Sequence, residues 1–288
     1  MANSSHRDEY LKRKRNRRIL RYGILVFVVI FLVALASYVS HRPSVRISKV
    51  ELSGGVLVTQ DAVEQSSLLY VQGSYFWLFP KDNVFWYPHN KLEEYLKDTF
   101  KRIDTIDIHL KDFHTLAIDI TERKPVATWC TGEPEMQPSG NEGALSVETR
   151  MCYFIDQDGV LFSEAPYFSG DAYFKYYGSI SPTDNPIGME YVASSTKFAE
   201  MSDFVTKVKE LSISPLYVIA KGDDEFSLVL YGGGEIYFNA RESLSVAGKN
   251  LEALLRTLDM ATTTGNLPVE YVDLRYGNKL FYKARGLK

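Results

Sequence analysis

Residues Tyr22 to Val39, YGILVFVVIFLVALASYV, form a run of 18 residues without a charged side chain. No other feature restricts the chain as much. A helix of that length, at about 1.5 Å per residue, crosses a hydrocarbon core of about 30 Å when its flanks snorkel. What precedes it has the opposite character. Residues 1–21 carry eight Lys or Arg (Arg7, Lys12, Arg13, Lys14, Arg15, Arg17, Arg18, Arg21) against Asp8 and Glu9, a net charge of +6. A cationic flank of this kind stays in the cytoplasm, while the sparsely charged C-terminal flank, His41 and Arg42, is exported. The pattern predicts a basic cytoplasmic arm over 1–21, a transmembrane helix over 22–42 and an extracytoplasmic remainder.

A cleaved signal peptide is the competing reading, because Ala34-Leu35-Ala36 has small-x-small spacing. Against it, the apolar run is longer than a usual signal-peptide core and continues through Ser37, Tyr38 and Val39. Both readings export the rest of the chain. Residues 22–288 hold 25 basic and 34 acidic side chains, a net of −9, and nothing in that balance suggests a nucleic-acid surface. The basic arm is therefore assigned to topology.

Residues 43–288 are about right for two modest domains. Nineteen Tyr and sixteen Phe in a chain that is 45% apolar provide cores for both. VRISKVEL (45–52) alternates like a strand with a register change near Lys49. Gly54-Gly55 ends it, and Thr59 is the candidate N-cap of a short helix through Ala62, Val63, Leu68 and Leu69. A second helix follows from Leu92, Tyr95, Leu96, Phe100 and Ile103 at helical spacing, with Glu93 and Lys97 as an i, i+4 pair. TIDIHL (105–110) and LAIDIT (116–121) then alternate as two strands around the turn Lys111 to His114.

That order, β-α-α-β-β, and the words that close it resemble the bacterial divisome proteins FtsQ and DivIB. IDTIDIHLKDFHTLAIDITERKPVATW is similar to the end of their POTRA domain and the entry to the β-domain, through Glu122, Arg123, Pro125, Ala127 and Trp129. YFIDQDGVLF (153–162) resembles the family's next hairpin, and YVDLRY (271–276) its last strand. The resemblance implies an α+β fold: a transmembrane helix, a POTRA domain over 43–123, and a β-domain over 124–288 with a mostly antiparallel sheet and two helices. It also implies a non-catalytic scaffold at the septum that holds FtsB-like and FtsL-like bitopic partners outside the cytoplasmic membrane and helps regulate septal peptidoglycan synthesis. Three departures stand out. Phe113-His114 occupies a turn that usually carries proline; residues 131–151 form a longer, more polar connection, read as a mobile surface loop; and YFWLFPKDNVFWYP (75–88) is an aromatic cluster. The cluster fills a core or, if exposed, is a patch for a partner or a membrane surface.

The remaining residues fit a second α+β domain on their own. VATWC, CYFID, VLFSE and YFKYYG read as strands, with Asp158-Gly159 as a hairpin turn. Phe198, Met201, Phe204, Val205 and Val208 mark a helix; PLYVIA, FSLVLY and EIYFN are strands, with Gly232-Gly233-Gly234 between the last two. Leu244, Ala247, Leu251, Leu254, Leu255 and Leu258 mark a further helix before the final strand. A sheet packed under two helices follows.

No catalytic or cofactor constellation emerges. Asp107, His109, Asp112 and His114 lie near one another in sequence but match no metal-ligand motif. DQDG (156–159) lacks the bidentate Glu of a calcium loop, GGG lacks the Gly-Lys-Ser/Thr of a P-loop, and no Ser stands in a nucleophile elbow. The expectation is no enzyme, no cofactor and no metal. The alternatives are a POTRA-bearing transport or secretion factor, which would normally show repeated POTRA units, and an anchored cell-wall hydrolase, which would need a catalytic group.

Two expectations concern specific pairs of segments. Cys130 ends VATWC and Cys152 begins CYFID, so pairing of those strands sets the thiols opposite one another in a compartment that permits disulfides; two reduced, buried cysteines are the alternative. In YVDLRYGNKLFYK (271–283), Val272, Leu274 and Tyr276 share one face, Asp273 and Arg275 the other, and Gly277-Asn278 either bulges the strand or turns it into a hairpin. The family resemblance favours one continuous bulged strand with an open edge, to which an FtsB-like partner adds a strand. The contact expected there comprises Arg275, Tyr276, Lys279, Leu280, Phe281 and Tyr282.

Overall fold

The structure, a computed structural model, describes residues 3–132, 151–168, 170–180, 185–222, 224–257 and 267–285. Most of the expected 131–151 loop, and Leu258 at the end of the last expected helix, lie outside the described residues. The fold is mixed α+β. Helix α1 (Asn3–Ser40) contains the apolar run, and from Lys14 onward it is long and apolar enough to cross a membrane or to serve as a signal sequence. The chain separates into two units, Met1–Glu122 and Arg123–Lys288.

In the first unit α1 is followed by β1 (Lys49–Ser53), α2 (Gln60–Tyr70), a small hairpin of β2 (Ser74–Tyr75) and β3 (Phe79–Pro80), α3 (His89–Thr99), β4 (Ile103–Leu110) and β5 (Thr115–Glu122). The sheet order is β1-β5-β4, with β1 parallel to β5 and β4 antiparallel to it. The first strand is shorter than its alternation predicts. The Ser48 and Lys49 amides both donate to the His114 carbonyl, at 2.9 and 3.1 Å, so two residues face one there. Upstream of that irregularity Ile47 donates to Asp82 instead, and the chain leaves the sheet. Thr59 stands at the N-cap of α2 but its side chain makes no capping bond. The neighbouring Gln60 side chain instead bonds the β1 backbone, donating to Val50 O at 2.5 Å and accepting from Leu52 N at 2.6 Å. The Glu93–Lys97 pair forms at 2.9 Å, and α3 ends at Thr99, before Phe100 and Ile103. Val50, Val63, Leu92, Leu96, Leu116 and Ile118 are buried between helices and sheet. Core filling describes only part of the aromatic cluster: Tyr87 packs against the core, whereas Phe76, Trp77 and Phe85 are exposed, and in that stretch Pro80, Asn83 and Val84 are the buried positions.

The second unit is built on a nine-stranded, mostly antiparallel sheet. Its strands are β6 (Ala127–Cys130), β7 (Cys152–Ile155), β8 (Leu161–Ala165), β9 (Phe174–Tyr177), β10 (Pro215–Gly222), β11 (Glu225–Leu230), β12 (Glu235–Asn239), β13 (Val269–Tyr276) and β14 (Lys279–Ala284), in the order β14-β13-β12-β11-β10-β9-β6-β7-β8. Helix α4 (Ser195–Glu210) links β9 to its parallel neighbour β10, and α5 (Leu244–Thr257) links β12 to its parallel neighbour β13. Parallel neighbours need a crossover of this length, whereas the two-residue and short turns elsewhere join antiparallel strands. The apolar stripes of both helices, including Phe198, Phe204, Leu251 and Leu254, pack on Val218, Leu228, Ile236 and Val272 of the sheet.

The last two strands correct the expectation of one continuous bulged strand. Gly277 and Asn278 form a two-residue turn, and β14 folds back antiparallel on β13, so the terminal strand of the sheet is β14. A bulge is also present, but upstream of the turn, between Asp273 and Tyr276.

Candidate partner-binding edge

Gly277 takes φ 63° at the first central position of the turn, where a type II′ hairpin turn favours glycine because a β-carbon is strained there. From α5, the Asn250 amide donates to the Gly277 carbonyl at 2.8 Å and fixes the turn against the helix. With a two-residue turn, Tyr276 and Lys279 are the closing hydrogen-bonded pair, so Lys279, Phe281 and Lys283 direct their peptide groups at β13. By the same alternation Leu280 and Tyr282 direct theirs outward. Among the described residues no strand pairs with that outer edge.

Face assignments within β13 change at the bulge. Val272 and Leu274 are buried in the core, as their alternation predicts. Tyr276 does not join them. The extra residue between Asp273 and Tyr276 shifts the register by one, and the Tyr276 ring meets Phe281 edge-on at 5.5 Å, on the strand position opposite Asp273. Both rings are exposed. Leu280 packs against the core from the other face, and Tyr282 and Lys279 are exposed.

Arg275 is engaged within the sheet. Its guanidinium contacts Asp273 at 2.7 and 2.9 Å and Glu225 at 2.6 Å, and lies 5.5 and 5.8 Å from the Tyr237 and Tyr276 ring centres. Hydrogen bonding to Asp273 raises the Arg275 pKa, against an opposing effect of burial, and Glu225 adds to the rise. Burial pushes the Asp273 carboxyl up, but the side-chain and backbone bonds from Arg275 outweigh it and hold the group below the usual carboxylate range. Arg275 is therefore held between two carboxylates and is not a free cation on this face. Lys283 is likewise paired, with Glu270 at 2.6 Å, which leaves Lys279 as the basic group of the edge without an ion pair among the described residues.

Two contributors escape the sequence reading. Tyr271 and Tyr237, with ring centres 6.0 Å apart, extend the aromatic stripe inward from Phe281 and Tyr276. Tyr271 stands two residues before Asp273 and was legible as a member of its face; Tyr237 was not, because only the pairing of Tyr237 with Asp273 across β12 and β13 brings it there. The stripe borders a shallow hollow lined by Tyr271, Asp273, Tyr276, Lys279 and Phe281.

The other singled-out residues are structural. Glu122 Oε1 accepts from the Val56, Leu57 and Val58 amides at 2.7, 2.7 and 2.8 Å, clamping the loop between β1 and α2. Burial raises its pKa, but the three backbone donors outweigh that effect and the carboxyl is held below the ordinary range. Arg123 pairs with the buried Asp156, whose other oxygen accepts from the Asp158 and Val160 amides at 3.0 and 2.9 Å. Asp156 thus ties the β7–β8 turn together, with both of its oxygens accepting from protein donors. Pro125 is half-buried, Ala127 and Trp129 are core residues, and the Trp129 indole donates to Gly178 O at 2.8 Å. Cys130 and Cys152 face each other across β6 and β7 and are joined by a disulfide.

The histidine cluster regroups. His109 Nδ1 lies 3.7 Å from Asp107 and 3.6 Å from Asp119, whereas Asp112 accepts from the His114 amide within the turn at 2.7 Å. Asp107, His109 and Asp119 are all exposed on adjacent strands, and their ligand atoms lie within 4.8 Å of one another.

Compared with protein-family models and with curated proteins, the chain matches none.

Proposed function

We propose that the chain is a non-catalytic scaffold of the bacterial division machinery, of the FtsQ/DivIB kind, anchored by α1 with its N-terminus in the cytoplasm and its two units outside. Its partner is an extended segment of an FtsB-like bitopic protein, held together with an FtsL-like one, at the septum. The observation that carries this reading is the outer edge of β14, unpaired among the described residues and flanked by the exposed rings of Tyr276, Phe281 and Tyr282 and by Lys279. An added strand takes affinity from the outward peptide groups of Leu280 and Tyr282, and specificity from the side chains beside them. Lys279 and the paired Lys283 discourage edge-to-edge association of two copies, and Lys279 favours an acidic segment. The β1-β5-β4 order around two helices supports a POTRA-like first unit.

The hairpin selects the variant that tests this. A proline at Lys279 would break the closing pair of the turn, whereas Tyr282→Pro removes a donor that points outward. In full-length protein purified from native membranes, Tyr282→Pro is expected to abolish co-purification of the small division partner while Tyr282→Ala retains part of it. Tyr276→Ala, which removes an aromatic anchor, is expected to weaken the complex by about tenfold or more. Retention of the partner by a Tyr282→Pro variant with parental circular dichroism would show that β14 is not the binding edge.

A further inference from the structure

The turn joining β2 and β3 is built from residues that a turn of this geometry disfavours. The Leu78 amide donates to Tyr75 O at 3.0 Å, and the two central residues, Phe76 and Trp77, have φ of 49° and 61°. Consecutive left-handed residues are the hallmark of a type I′ turn, which normally takes Asn or Gly, because a side chain with a bulky β-substituent is strained at each position. Packing does not compensate, since Phe76 is 87% and Trp77 94% exposed. Two of the largest apolar side chains therefore stand in solvent on a strained backbone, a combination that neither turn preference nor core formation explains.

The position of this tip relative to α1 supplies the explanation. Ser37 Oγ, in the last turn of α1, donates to the Leu78 carbonyl at 2.7 Å. Buried Asn83, just after the hairpin, donates to both the carbonyl and the hydroxyl of Ser40 at 3.1 Å. Ser37 belongs to the uncharged run that ends at Val39, only about 3 Å further along the helix axis. If α1 spans the bilayer, a group bonded to Ser37 stands at the boundary between acyl chains and headgroups. The surroundings have the composition of that layer: Trp86 meets Phe79 at 5.4 Å and Phe85 at 6.1 Å, Phe85 reaches Phe113 at 6.5 Å, and the Arg42 guanidinium covers Tyr38. Trp and Tyr favour the membrane interface because their rings are apolar and their N–H or O–H groups remain hydrated.

We propose that the β2–β3 hairpin is a membrane foot, in which Phe76 and Trp77 insert among the lipids of the extracytoplasmic leaflet beside the exit of α1, with Phe85 and Trp86 resting on the headgroups. The occupant is lipid because the hydrogen bonds to Ser37 and Ser40 fix the hairpin at bilayer depth, where a soluble partner has no access. This inference rests on the reading of α1 as a membrane anchor and goes beyond the β14 edge.

The test uses full-length protein in phosphatidylcholine–phosphatidylglycerol vesicles, with and without lipids brominated near the carbonyl end of their acyl chains. Of the three tryptophans, Trp129 is buried in the second unit, so quenching by bromolipid reports Trp77 and Trp86. The expected result is quenched, blue-shifted emission in the parent and loss of the larger part of that quenching in Trp77→Phe, a conservative change at an exposed position. Alkaline carbonate extraction of the same vesicles separates the two readings. Protein that resists extraction, but whose Trp77 emission is unaffected by bromolipid and quenched by aqueous iodide, would overturn the foot and leave the anchor intact. Protein released by carbonate would overturn both.

Discussion

At the scale of single residues, the closing motif of the first unit divides between two anchoring tasks. Glu122 is bonded into the first unit through three amides, and Arg123 into the second through Asp156. Because the Glu122 carboxyl titrates lower in the folded than in the unfolded state, its contribution is fully present above the unfolded value and is lost as pH falls through the folded one. Glu122→Gln, which keeps the acceptor oxygen but removes the charge, is expected to destabilise the first unit by up to about 1 kcal/mol near neutral pH, because solvent screens part of the charge. Urea denaturation across the acidic range checks this: the gap between parent and variant should close as pH falls below the ordinary carboxylate range. The sequence shows Glu122 as part of a motif, but its partners lie more than sixty residues upstream, and no local pattern announces them.

Among the elements, those with a strong period are legible and those defined by their neighbours are not. Helices α3, α4 and α5 and strands β4, β5 and β12 follow from apolar spacing, since each buries mainly one stripe or face. The irregularity at Ser48 and Lys49 falls where the sequence predicts a register change, but the start of β1 is not legible, because the point at which the chain leaves the sheet for Asp82 is decided by its neighbours. Hairpin β13–β14 is a mixed case: Gly277-Asn278 is turn chemistry in the sequence, while the bulge that moves Tyr276 onto the Asp273 face depends on how β14 aligns. The β6–β7 pair carries its own prediction. With a sequence separation of 22 between Cys130 and Cys152, the bridge closes a long loop, and its reduction is expected to lower stability by about 3 kcal/mol in the chain-entropy account. Intact mass of unreduced protein should show no free thiols, and a parallel denaturation with and without reductant should show the loss. Two free thiols after oxidising purification would refute the bridge.

For the whole molecule, the charge asymmetry about α1 is the controlling feature. An export-dependent reporter fused after Arg42 is expected to be active, and the full-length protein to remain in the membrane fraction; release of a fragment beginning at Ser37 would instead identify a cleaved signal sequence. The sequence alone determined the long apolar helix, the two-unit organisation and the mixed α+β class, because these follow from runs, periods and charge counts that are local along the chain. It also placed Cys130 opposite Cys152 as soon as their strands were paired. Only the tertiary structure decided which strand ends the nine-stranded sheet, which face Tyr276 takes, that Arg275 is neutralised by Asp273 and Glu225, and that Phe76 and Trp77 stand exposed beside the end of α1. Each of these depends on the register between segments distant in sequence. A one-residue shift in pairing reverses the face of every side chain that follows, and the information that sets it is shared between both partners.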